Sequence, residues 1–117
     1  MSAPHEFDRY AFVLLRRPSD ASDLPEAELD RLQEEHLAHL KSLRDHGLLA
    51  AGPFRDQEDE SLRGLCIFDR SVEETRELMS RDPSVRAGRL RADVMTWLTA
   101  KGSLFKRPSR LGESESW

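Results

Sequence analysis

A chain of 117 residues with 38% hydrophobic content fits one compact domain with a single core. Its 18 basic and 22 acidic residues leave a net charge of -4, which gives no overall field for a phosphate backbone or an anionic lipid surface, so neither nucleic acid nor membrane is an expected partner. No apolar run approaches the roughly 20 residues that cross a bilayer, and the opening MSAPHEFD lacks the charged-then-apolar order of a signal peptide, so the expected location is the cytoplasm.

The first element is YAFVLLRR, residues 10–17, with Tyr10, Phe12 and Leu14 on one alternating set and Ala11, Val13 and Leu15 on the other. A strand apolar on both sets is covered on both faces. In PSDASDLPE, Asp23 with Glu26 three places later and Pro25 between them reads as a helix entry, and the helix is expected from Pro25 to His46. Gly47 follows the last periodic residue, where a left-handed residue ends a helix. LLAAGPF is a short second strand closed by Gly52 and Pro53, and RGLCIFD, residues 63–69, is a third with both sets apolar. The single cysteine, Cys66, lies in that run, where a buried and inert thiol is the default. Ser71 and Glu74 form a capping box for a second helix whose buried stripe is Val72, Thr75, Leu78 and Met79. Asp82-Pro83 stops that helix, PSVRAGR is a loop, and RADVMTWLTA, residues 91–100, is the last strand.

Strand, helix, strand, strand, helix, strand is the βαββαβ order of an α+β, ferredoxin-like fold, with two helices on one face of a four-stranded antiparallel sheet. Two helices cover one face only, yet Met95 and Trp97 oppose Val94 and Leu98 in the last strand, so the other face also needs a cover. A second copy of the sheet is the simplest one, which predicts a homodimer with its sheets face to face. The domain is expected over residues 1–100, and residues 101–117, which lose periodicity and gain Pro, Gly, Ser and charge, read as a flexible tail.

Helical spacing places Leu29, Leu32, His36, Leu40 and Leu43 on one face, with His36 in the middle of an apolar stripe. An unpaired ring nitrogen in such surroundings costs about 1 to 3 kcal/mol, so His36 needs a partner.

HLAHLKSLRDHGLLAAGPF, followed by a capped helix ending in RDPSVRAGRLRADVMTW, resembles the YciI-like (YCII-related) family over roughly residues 8–99. The marks are His36, Gly47 with Gly52 and Pro53, and Asp82 with Pro83 and Gly88; Ser84 and Thr96 depart from the usual pattern at positions that bear on pocket shape. The resemblance implies a dimeric α/β barrel built from ferredoxin-like subunits, with a cleft at the sheet lined by His36 and Asp82 as a catalytic pair. A carboxylate accepting the imidazole N–H fixes the tautomer and supports the protonated ring, as a general base requires.

The expected activity is that of a small enzyme without cofactor or metal, moving a proton on a small metabolite in an isomerase or lyase reaction. The alternative is a homodimer that binds a small ligand or a partner without catalysis, in which the same pair only positions a ligand or holds the fold; the plainest reading of the two residues has His36 bonded to a backbone carbonyl and Asp82 capping or turning the chain before Pro83. A metal reading rests on His36 and His39 at i, i+3, but a pair without a third ligand is poor evidence for an ion. Arg16 and Arg17 end the first strand and Arg81 precedes Asp82, where an arginine can orient an anionic group. Arg16 and Arg81, with Gly52 and Pro53, are the expected substrate contacts.

Overall fold

The structure, a computed structural model, describes residues 6–105. The elements are β1 (Phe7–Arg16), α1 (Glu26–Ser42), a 3-10 turn (Leu43–His46), β2 (Leu48–Pro53), β3 (Leu62–Phe68), α2 (Val72–Ser80), α3 (Pro83–Arg86), β4 (Arg91–Ala100) and a closing 3-10 turn (Ser103–Phe105). The strands form one four-stranded sheet in the order β2-β3-β1-β4, antiparallel throughout, so the α+β architecture agrees with a ferredoxin-like arrangement. The expected tail lies mostly outside the described residues, and its first part, Ser103–Phe105, forms the closing turn.

Strand alternation divides the sheet into two faces, with register shifts at Leu15/Arg16, where Arg63 is skipped, and at Leu48/Ala50. Ala11, Val13 and Leu15 of β1 and Cys66 and Phe68 of β3 meet Leu40 of α1, Leu43 of the turn and Met79 of α2 in the core. Each fully buried large side chain in it contributes roughly 1.5 to 3 kcal/mol by leaving water. Burial pushes the Cys66 thiol up to about 12, and the nearby Asp82 charge acts in the same direction, so the thiol stays protonated and inert.

The opposite face carries Tyr10, Phe12 and Leu14, paired across the sheet with Trp97, Met95 and Asp93 on one side, and Phe12 and Leu14 with Ile67 and Leu65 on the other. Trp97 packs tilted on Tyr10 and edge-on to Phe12, with ring centroids 6.2 and 5.9 Å apart. Met95 is 42% exposed.

Local structure departs from the sequence expectation at three places. Helix α1 begins after Pro25 without a side-chain cap, because Asp23 lies two residues before the N-cap position, which Pro25 fills, and the Pro25 carbonyl takes the Glu28 and Leu29 amides. Its last turn tightens into a 3-10 turn before Gly47, at φ 92°, reverses the chain. Residues 83–86, expected in a loop, form the single-turn helix α3, which starts at proline as helices favour.

Candidate functional site

Helix α1 carries His36 to the sheet because the ring occupies the same stripe as Leu32 and Leu40, and the residue is 5% exposed. Asp82, fully buried, meets it from the α2–α3 junction: His36 Nδ1 and Asp82 Oδ2 are 2.5 Å apart. The other carboxylate oxygen, Oδ1, accepts the Ser84 amide at 2.8 Å and so caps α3. The two roles weighed for Asp82, histidine partner and chain cap, are filled by one side chain, one oxygen to each. Since the carboxylate only accepts, the hydrogen bond places a proton on Nδ1 and leaves Nε2 with the ring's lone pair.

His36 lines a cavity of about 270 Å³ between α1 and the edge of the sheet. An apolar cavity of about 150 Å³ suffices for benzene, so this space admits one ring or a chain of similar bulk. Leu29 and Leu32 of α1, Leu15 of β1 and Leu90 make its apolar walls. Gly52 and Pro53, both expected contacts, lie at its rim beside Gly64. A Cβ on Gly64 would stand 2.7 Å from the Gly52 carbonyl oxygen, so the close approach of β2 and β3 beside the cavity requires glycine there.

Arg16 and Arg81 lie outside this lining. Alternation sends Arg16 to the open face of the sheet, where Nε donates to Asp93 Oδ2 at 3.2 Å, and Arg81 turns outward to Glu77 at 2.9 Å, one helical turn back. The arginines that do line the cavity are Arg17, Arg63 and Arg89. Arg17 was legible, since Leu15 and Arg17 share a set. Arg63 was not, because alternation groups it with Leu65 and Ile67 on the other face. Arg89 depends on a turn no pattern announces: the Ser84 carbonyl accepts both the Arg89 and Leu90 amides, at 2.9 and 3.1 Å, and folds the chain back over the cavity.

His39 does not join His36. Its Nε2 donates to the Leu78 carbonyl at 3.0 Å and ties α1 to α2. Among the described residues no group of three or more His, Cys, Asp or Glu side chains is placed to hold a metal ion, and no helix is long and apolar enough to cross a membrane.

The model of the YCII-related domain matches residues 10–98. No curated protein matches the sequence. Among solved structures, the 5-chloro-2-hydroxyhydroquinone dehydrochlorinase of Burkholderia phenoliruptrix, in complex with 2,5-dihydroxybenzoquinone, is similar at 22% identity over 80% of this chain and 97% of that one, with a TM-score of 0.47.

Proposed function

The chain belongs to the YCII-related domain family, and from that premise we propose that it is a small-metabolite enzyme in which His36, oriented by Asp82, transfers a proton in an isomerase or lyase reaction. The observation that carries this reading is the 2.5 Å contact between a buried carboxylate and Nδ1 of a histidine whose ring lines a cavity. Nε2 has no hydrogen-bond partner among the described residues. It is the atom available to a substrate.

The chemistry follows from that arrangement. Nε2 takes the proton of an acidified C–H or O–H group, and the imidazolium that forms is held by the Asp82 carboxylate. The electron pair left on the substrate either shifts, so that the proton returns at another atom, or expels a leaving group. The first course is an isomerisation and the second an elimination. Among the described residues one ring nitrogen of His36 is held within the protein, and the other is left on the side of a ring that lines the cavity.

Nitrogen-15 spectra of the wild-type imidazole test the pair directly. At a pH where the ring is neutral, His36 is expected to show a protonated Nδ1 and an unprotonated Nε2. The opposite tautomer would remove the base from the cavity and with it the mechanism.

A twofold homodimer is part of the same reading. The apolar open face, with Phe12 of β1 beside Met95 and Trp97 of the edge strand β4, supports sheet-to-sheet association, since a patch of this kind is costly in water. Sedimentation velocity at micromolar concentration is expected to show a dimer, and Met95→Glu, which sets a charge at an already exposed position, is expected to give a folded monomer. Wild-type protein sedimenting as a monomer would sink this part of the proposal.

A further inference from the structure

We infer that the His36 cavity selects a small organic anion, with a carboxylate or equivalent head held by Arg17, Arg63 and Arg89 and an apolar body lying on Leu15, Leu29 and Leu32. The inference rests on the reading of this cavity as the substrate site and adds the class of molecule it takes.

Three arginines line one small cavity from three separate parts of the chain: the end of β1, the start of β3 and the α3–β4 connection. The lining includes no aspartate or glutamate. Among the described residues none of the three arginines forms an ion pair. Their known partners are neutral carbonyls: Arg63 Nη1 donates to Glu60 O at 3.3 Å and Arg89 Nη1 to Ser22 O at 2.5 Å, while Arg17 is tied through its backbone amide to Ser61 O at 2.8 Å.

A lining with three arginines and no acid stands out in a chain of net charge -4, where carboxylates outnumber cations. Arg16 and Arg91 pair with Asp93, Arg31 with Glu35 and Arg81 with Glu77, and what sets Arg17, Arg63 and Arg89 apart is that they share one cavity whose lining holds no acid. Three like charges around one space that holds no acid make it a favourable place for an anion. Guanidinium matches a carboxylate in plane and donor spacing. The apolar walls exclude a bare inorganic ion as the best occupant, since it would leave the leucines facing water.

The placement also fits proton abstraction. An anionic head fixed at the arginines holds the rest of a single-ring molecule along the leucine wall toward Nε2. The turn that Asp82 caps is the one that returns Arg89, so the group aiming the base and the group gripping the substrate are set by the same nine residues, 82–90.

Benzoate and benzamide separate charge from shape, because they share a ring that fits the cavity and differ in charge at the head. Titrations followed by the His36 ring and arginine Nε–H signals are expected to show benzoate binding in the cavity and benzamide binding at least tenfold more weakly, as about the strength of one charged hydrogen bond requires. Arg89→Gln is expected to weaken benzoate about tenfold or more. Arg17→Gln, at an exposed side chain with no structural bond of its own, provides the same test if loss of the Ser22 contact unfolds the first variant. Equal affinity for the two probes, absence of binding by both at millimolar concentration, or benzoate binding unchanged in both variants overturns the anion site. His36→Gln keeps the two readings apart: benzoate binding retained with turnover also retained leaves the anion site standing and refutes proton transfer by His36.

Discussion

Asp82→Ala is expected to lower the unfolding free energy by about 3 kcal/mol, a large fraction of the stability of a domain this size. The change removes two interactions at once. The Ser84 amide loses its cap, worth about 0.5 to 2 kcal/mol, and His36 Nδ1 is left buried without an acceptor, at about 1 to 3 kcal/mol. The residue is fully buried, so water does not compensate either loss. Asp82→Asn is expected to cost less than about half as much, since its carbonyl oxygen still caps α3 while its amide group faces the ring. That amide donates, so Nδ1 must become the acceptor and the imidazole proton moves to Nε2. The asparagine variant therefore stays folded with its base pointing the wrong way. Urea denaturation of the three proteins checks the stability order, and an alanine variant as stable as wild type would show that the contact holds nothing.

His36→Gln is expected to lower kcat by about 10² to 10⁴, the span that a positioned general base contributes, with the fold retained because glutamine keeps a polar group toward Asp82. The Asp82→Asn variant is expected to fall by a similar factor despite its milder effect on stability. Loss of rate without loss of fold in both variants is the signature of a base and its positioning residue. Steady-state kinetics on a small anionic substrate measures both effects. A His36→Gln enzyme turning over at the wild-type rate would leave the histidine as a ligand-binding or structural group and favour the non-catalytic reading.

Much of this site was visible in the sequence, and the visible part was the periodic part. His36 breaks an apolar stripe at helical spacing, and that pattern alone demanded a partner for it. The order of the elements followed from alternation in β1, β3 and β4 and from the Ser71 box, whose hydroxyl does accept the Glu74 amide at 3.1 Å. What escaped was set by short, aperiodic backbone. Whether Arg16 or Arg17 faces the cavity depends on a single step of strand parity, and Arg17 lines it while Arg16 lies on the open face with Asp93. Arg89 depends on α3, four residues too short to show any period. Arg63 reaches the cavity against its own alternation. The apolar frame was legible because its signal repeats, whereas the charged rim was not, because each of its members arrives by a separate local geometry.

Because the same carboxylate holds the Ser84 amide and the His36 ring, a fluctuation that opens the 82–90 turn also releases the imidazole. The aim of the base is thus tied to a local unfolding equilibrium and not to the stability of the whole domain. An opening free energy of about 2 kcal/mol would leave roughly 3% of molecules with an unaimed base at any moment, a fraction that grows on warming well before the sheet melts. Hydrogen exchange at the Ser84 amide reads that fraction directly, and thermal loss of competence should follow it at temperatures where the core amides of β1 and β3 are still protected.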